Sequence, residues 1–242
     1  MTIPLAIELK QVSFTWPKQS TPTLVIDQLA IKPQQHVFIQ GPSGCGKSTL
    51  LSLLTGIMTP QSGQVRILDK QLNLLSQAER DKFRARHIGY IFQQFNLLPY
   101  LSVLENVLLP CRFSRDRKAK AEQQSSSLEQ QAKQLLSRLH LPVSCFEQPI
   151  NELSIGQQQR VAAARALIGQ PEIIIADEPT SALDQDNRQA FIELLIEEAN
   201  QSGATVIFVS HDSSLRRYFE VYVDLPTINQ ISLVNPQQEA NE

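Results

Sequence analysis

Three of the chain's 9 glycines fall within six residues, Gly41-Pro-Ser-Gly44-Cys-Gly46. Nine in 242 residues is about half the usual share of roughly 7%. A chain that spends little glycine and then clusters it marks backbone that side chains would obstruct. The apolar run Val37-Phe-Ile39 leads into the cluster. The stretch 48–55 leads out of it with helical character and stops at Gly56, a C-cap. With Lys47 and Ser48 the segment satisfies the pattern G-x-x-x-x-G-K-[ST] in the order strand, loop, helix. Glycines let backbone N–H groups curl around phosphate oxygens, and the next helix offers its positive end to the same anion. Lys47 is predicted to reach the β- and γ-phosphates and the Ser48 hydroxyl to ligate Mg²⁺.

A second run, Ile173-Ile-Ile-Ala176, ends on Asp177-Glu178, and a third, Thr205-Val-Ile-Phe-Val209, ends on Ser210-His211. Each comes after a helical stretch, so the chain reads as α/β with a mainly parallel core sheet, preceded by a β-rich start in which Ile7–Val12 alternates. Parallel sheets bind ligands at the C-terminal ends of their strands. Asp177 is therefore expected to hold Mg²⁺ through its water shell, and Glu178 to act as general base toward the attacking water. From Asn96 to Leu167 the character turns helical. The stretch 114–127 reads as a solvated helix face or mobile connection, and Leu128, Leu135, Leu136 and Leu139 form a core stripe. The glycines beyond the loop, such as Gly56, Gly63, Gly169 and Gly203, read as turns and helix ends. The tail from Asn235 is polar enough to fray.

Composition mainly excludes. Hydrophobic residues at 42% and charged residues at 19% fit an ordinary globular chain. A net charge of −2 gives no basic field for nucleic acid. No apolar run approaches the length of a membrane span, the first residues lack a signal-peptide pattern, and three unpatterned cysteines fit a reducing compartment. A cytoplasmic location is expected. His36, His87 and His140 lack metal-ligand spacing and read as structural or exposed.

Gln93 closes the run His87-Ile-Gly-Tyr-Ile-Phe-Gln93, Leu153-Ser-Ile-Gly-Gln157 opens the helical stretch 158–167, and Ser181-Ala-Leu-Asp184 comes after the paired carboxylates. In this order the motifs resemble the ATP-binding subunit of an ABC transporter: Walker A, Q-loop, signature, Walker B, D-loop and switch histidine. The resemblance implies a P-loop NTPase of the ABC ATPase fold, with an N-terminal antiparallel β subdomain and an inserted helical subdomain. It implies one such domain over 1–242, with 1–95 and 168–242 as nucleotide-binding core and 96–167 as helical signature subdomain. Implied cofactors are ATP and Mg²⁺. The ATP contacts would be Gly41, Pro42, Ser43, Gly44, Cys45, Gly46, Lys47, Ser48 and Thr49, with Lys47 also catalytic. Two subunits would pair head to tail, so that Ser154, Gly156 and Gln157 meet the partner's γ-phosphate and Asp184 reports across the interface. His211 would bridge the γ-phosphate and Glu178, and Gln93 would touch Mg²⁺ or water. Trp16, with Phe14 as the alternative, would stack on adenine. Phe92–Pro99 with Leu104–Pro110 is similar to the branch serving lipoprotein release and macrolide export, whose ATPase drives a separate membrane permease at the inner face of the cell membrane. Leu97, Leu98, Pro99 and Val103 would line the permease groove, or be buried in the helical subdomain.

Two other classes lack their marks in this chain. A soluble ABC ATPase would act in repair, translation or cluster assembly, and the long coiled coils of repair proteins and the two cassettes of translation factors are absent. A small-molecule kinase or GTPase would give the signature and switch histidine no role, and the guanine-reading Asn-Lys-x-Asp is absent. The chain departs from the family at three places. Ile155 replaces a signature glycine and is expected in ordinary φ/ψ space, with ATP binding retained. Gln34-Gln35 stands where glycine is common and reads as neutral. Cys45 sits inside the phosphate loop, where packing is the expectation and oxidation beside the nucleotide the alternative.

Overall fold

The runs 37–39, 173–176 and 206–209 are apolar at every position because each is a strand covered on both faces. The computed structural model describes residues 4–231; the polar tail from Asn235 lies outside them. In chain order the elements are β1 (Ile7–Phe14), β2 (Leu24–Ile31), β3 (His36–Gln40), α1 (Lys47–Leu54), β4 (Ser62–Ile67) and β5 (Lys70–Gln71). Then come α2 (Gln77–His87), β6 (Ile88–Ile91), α3 (Val103–Phe113), α4 (Arg115–Gln123), α5 (Leu128–Arg138) and α6 (Ile155–Leu167). The chain closes with β7 (Ile173–Asp177), α7 (Gln185–Ser202), β8 (Thr205–Ser210), β9 (Val221–Asp224) and α8 (Leu225–Ile228).

The strands form two sheets. One is antiparallel in the order β2-β1-β4-β5, and the other is parallel throughout in the order β6-β7-β8-β3-β9. Alternation divides the parallel sheet's side chains between two cores. Val37, Ile39, Ile173, Ile175, Ile207 and Val209 face α1 and the antiparallel sheet. Phe38, Ile174, Ala176, Val206 and Phe208 face the layer that includes α3, α5, α6 and α7. The fold is the α/β arrangement expected from sequence, with the antiparallel sheet at its start and α3–α6 inserted between β6 and β7.

Three details differ from the sequence reading. The stretch 114–127 is not a solvated face throughout: it folds as α4, and Arg117 at its centre is 2% exposed. Gly63 is not in a turn but within β4. It lies opposite a bulge at Gln11 (φ 49), where a Cβ would come 2.2 Å from the Gln11 carbonyl oxygen. The same bulge shifts the buried alternation of β1 from Ile7 and Leu9 to Val12 and Phe14. The histidines, by contrast, are structural or exposed groups as expected. His36 is buried against Asn200 (2.8 Å), His87 pairs with Glu172 (2.9 Å), and His140 is exposed.

Gln34 is not neutral either. It holds the turn before β3 at φ 63, a left-handed conformation that disfavours any side chain with a Cβ. Its N–H donates to Thr205 Oγ1 (2.9 Å), so the turn cannot relax without losing a link to β8. Gln34→Gly is expected to stabilise the protein by about 1 kcal/mol. Thermal unfolding should then shift upward by roughly 2–4 °C, and an unchanged or lowered midpoint would contradict the strain assigned to this residue.

Candidate nucleotide site

Strands β3, β7 and β8 are neighbours and parallel, so the segments that leave their C-terminal ends emerge at one edge. After β3 comes the phosphate loop. Gly46 is the residue before α1 and adopts φ 102, and a Cβ there would sit 2.8 Å from Leu24 Cδ2. No side chain therefore caps α1, and its first N–H groups are left for an outside acceptor. Lys47 Nζ donates to the carbonyls of Gly41 (2.6 Å) and Pro42 (3.0 Å) and lies 3.9 Å from Glu178 Oε1. The third N–H of its ammonium is left for a phosphate.

After β7, Asp177 accepts a hydrogen bond from the Tyr90 hydroxyl at 3.2 Å. Burial pushes the Asp177 carboxyl above its ordinary range; Tyr90 and Lys47 oppose this, and neighbouring Glu178 adds to it. Tyr90 is also shifted upward, by burial first and then by the charge of Asp177. Glu178 is buried at φ 47, a left-handed non-glycine backbone of the kind that strained functional sites hold. Its N–H donates to the Val209 carbonyl (2.9 Å), and its Oε2 meets His211 Nδ1 (2.9 Å) and the Ser210 hydroxyl (3.3 Å). His211 is otherwise open, its side chain 68% exposed. Asp212 carries the contact onward to Arg188 of α7 at 2.9 Å.

These groups border a groove of about 790 Å³ lined by Trp16, Pro42, Ser43, Gly44, Gly46, Lys47, Ser48, Thr49, Gln93, Asp177, Glu178 and His211, with Gln19 and Thr23 beside Trp16. Trp16 Nε1 donates to Thr49 Oγ1 (3.1 Å), with the ring edge-on to Phe14. Phe14 is fully buried, so Trp16 is the aromatic available to the groove. Gly41 and Cys45 are not part of its lining. The Cys45 sulfur folds back over Gly41, where an added Cβ would lie 2.4 Å from it. Tyr90 and Ser210 join the site without any motif to announce them. The parallel pairing of β6 with β7 places Tyr90 opposite Ile175, a register the sequence does not display.

Ser154, Gly156, Gln157 and Asp184 lie outside this groove. Ser154 caps α6 in a reciprocal box with Gln157: the Gln157 N–H donates to Ser154 Oγ (3.3 Å), and the Ser154 N–H to Gln157 Oε1 (2.8 Å). Ile155 stays out of the left-handed region and is 52% exposed. Asp184 caps α7 through the N–H of Asn187 at 2.9 Å.

Residues 26–181 match the protein family described as ABC transporter. The chain belongs to the ABC transporter family. It is 37% identical over 198 residues to the lipoprotein-releasing system ATP-binding protein LolD of Hydrogenovibrio crunogenus, covering 82% of this chain and 83% of that one. It is 39% identical over 211 residues to the macrolide export ATP-binding/permease protein MacB of Rhodopseudomonas palustris, covering 86% of this chain but 31% of that protein. Two solved structures of MJ0796 from Methanocaldococcus jannaschii superpose with a TM-score of 0.77 at 37% identity, covering 91% of this chain and 95% of theirs. One is a dimeric cassette and the other a dimeric post-hydrolysis state bound to ADP and Pi. The chain is thus an ATP-binding and ATP-hydrolysing cassette.

The back-folded thiol makes a specific expectation for the loop. Gly41→Ala should destabilise the cassette by about 1–3 kcal/mol through overpacking. Adding Cys45→Ala should restore at least half of that loss in thermal unfolding. If the double variant is no more stable than Gly41→Ala alone, the sulfur does not occupy that space.

Proposed function

We propose that this cassette closes head to tail with a second copy over two ATP molecules and passes the motion to a separate membrane permease of the lipoprotein-release or macrolide-export type. One observation carries the reading: the groove gathers the phosphate loop, the paired carboxylates, Gln93 and His211, yet none of the signature residues. It is half a site. The electrostatics of the helix ends supply the other half. Helices α2, α3, α4, α5 and α7 each carry an acidic residue in the first turn, namely Glu79, Glu105, Asp116, Glu129 and Asp186. Of the helices of eight residues or more, only α1 and α6 carry none. An N-terminus meant for a phosphate has to be free of competing negative charge, and these are the two that the proposed sandwich would place against one nucleotide.

Within the groove, Lys47 and the loop N–H groups would hold the phosphates, and Trp16 would stack on the base. Among the described residues no cluster of three His, Cys, Asp or Glu forms a closed metal cage. Ser48, Asp177 and Gln93 offer a few hard oxygen donors, which fits Mg²⁺ held largely by phosphate and water. When bound, that ion supplies neutralisation of the phosphate charge. Glu178 would accept the proton of the attacking water. His211, donating Nδ1–H to Glu178, leaves Nε2 toward the groove; that nitrogen can donate to a phosphate oxygen only in the protonated ring.

A second groove, of about 460 Å³, lies between α2, β6 and α3. Phe92 and Phe113 stand exposed on it beside Tyr90 and Pro110, with Lys82 and Arg84 on the rim. We assign the permease contact to this surface. Of the residues read from sequence as lining that contact or buried in the helical subdomain, Val103 is fully buried and Leu97 packs on the helical core. No described helix is long and apolar enough to cross a membrane, and the permease would hold the cassette at the inner face.

Glu178→Gln is expected to bind ATP, accumulate as a closed dimer in sedimentation and lose hydrolysis; hydrolysis at the unaltered rate would remove the role given to Glu178. In that background Gln157→Glu keeps the cap but places a carboxylate at the α6 N-terminus. It should leave the unfolding temperature within a few degrees and weaken ATP-driven dimerisation at least tenfold. An undiminished dimer would mean that this helix end does not face phosphate. For the second groove, Phe113→Asp should leave ATP binding intact and cut recovery of a co-purifying permease about tenfold; full recovery would move the contact elsewhere.

A further inference from the structure

Two buried arginines underlie the second groove, and neither meets a carboxylate among the described residues. Arg165, in the last turn of α6, donates through Nη1 to the Asn96 carbonyl (2.6 Å) and through Nη2 to the Phe95 carbonyl. Phe95 and Asn96 are consecutive, left-handed (φ 58 and 49) and not glycine, two and three residues after Gln93. Strained backbone of this kind persists only where its surroundings over-determine it. Here one planar guanidinium spans both carbonyls, a task for which its fork of donors is suited.

Arg117 works at the same end of α6. Its Nη2 donates to the Ala166 carbonyl (2.7 Å) and its Nε to that of Ile168 (2.8 Å), while Nη1 reaches the carbonyl of Ile88 (3.4 Å), where β6 begins. A cation on the carbonyl end of a helix also complements the helix dipole. The next residue of β6, Gly89, approaches α6 so closely that a Cβ would lie 2.2 Å from the Ala166 oxygen. The strand that leads to Gln93, the turn just beyond it and the end of α6 are therefore joined through backbone carbonyls. Burying a guanidinium is costly unless its donors are used, and here the partners are supplied by three separate segments.

We infer that Arg117 and Arg165 are positioning residues that join the signature helix to the strand and turn carrying Gln93, so that these move as one body with the α6 N-terminus. The inference rests on the proposed role of that N-terminus as the trans half of the ATP site. The lever is long. Ten residues of helix separate Ile155 from Arg165, about 15 Å at 1.5 Å per residue. A tilt of about 5° at the joint would displace the far end by about 1.3 Å, a misplacement of the size that disables positioned catalysis.

The test uses the Glu178→Gln protein with Arg165→Lys or Arg117→Gln added. Trp16 is the only tryptophan and lines the nucleotide groove, so its emission reports ATP binding separately from sedimentation, which reports the dimer. Cooperatively unfolding variants should bind ATP within threefold of the parent and dimerise at least tenfold more weakly. Dimerisation equal to the parent's would overturn the inference, and so would equal losses of ATP binding and dimerisation, which mark a general core role. If Arg117→Gln does not fold, Arg165→Lys decides. Hydrogen exchange on the Glu178→Gln parent, below its dimerisation concentration, needs no further variant. ATP should change protection at 94–97 and at 154–158 together; change at 94–97 alone, or at neither, overturns the inference. A parent that stays monomeric at every concentration with ATP overturns the reading of the α6 N-terminus itself, and the inference with it.

Discussion

The nucleotide groove depends on the register of three parallel strands. β8 pairs with β7 on one side and with β3 on the other, and Val209 lies level with both Asp177 and Ile39. The C-terminal ends of the three strands therefore share one edge: the phosphate loop after Gln40, the paired carboxylates at the end of β7, and Ser210-His211 at the end of β8. A one-residue slip in either pairing would turn the side chains of that strand onto the opposite face. The two-sided apolar burial of this sheet is thus what places an ammonium, two carboxylates and an imidazole around one groove.

Placement alone does not make a phosphate site; the surrounding field must also favour negative charge. The chain achieves this mainly by omission. Most helices here begin with a serine or aspartate cap and an acidic first turn, a combination that stabilises a helix in isolation. α1 gives up both the side-chain cap and the acid, while α6 keeps its serine cap but uses Gln157 where α2 and α3 use Glu79 and Glu105. Among the helices of eight residues or more, the first-turn acid is missing only at the two ends where an anion is proposed to bind. That arrangement also explains why one copy is incomplete: its own groove contains a single such helix end, and the other lies on a separate surface.

The motifs on the sheet edge were legible in sequence because phosphate chemistry restricts both residue type and spacing. The α/β order, the capping Gly56 and the leucine stripe of α5 were legible for similar reasons, since periodicity records which face is buried. What escaped was set by tertiary contact. Arg117 sits among polar and charged residues and reads as solvated, yet carbonyls from elements remote in sequence bury it. Val103 fits a groove lining or a buried position on sequence alone, and only the packing of α3 decides for burial. The Cys45 side chain points away from the groove because the loop bends it back over Gly41, and no spacing rule encodes that bend. Tyr90 became a neighbour of Asp177 only through strand order. Gln34 was missed for another reason: its cost lies in a backbone angle rather than in any contact.

Three of the ten non-glycine residues at positive φ among the described residues lie where a nucleotide would be sensed. Among the non-glycine residues at positive φ, Glu178 stands at the end of β7, and Phe95 and Asn96 come shortly after Gln93. Each is held by hydrogen bonds rather than by covalent necessity: Glu178 by Val209, Ser210 and His211, and the Phe95–Asn96 turn by Arg165. Strained segments held by a few polar contacts can switch at low energetic cost, because leaving the conformation releases part of what breaking the contacts consumes. A phosphate arriving near Lys47 and His211 would compete for the partners of Glu178. An occupant of the groove above Arg165 would press on the partners of the Gln93 turn. The two strained segments therefore lie where ligand and permease could each bias the same cassette, one from the sheet edge and the other through the base of α6.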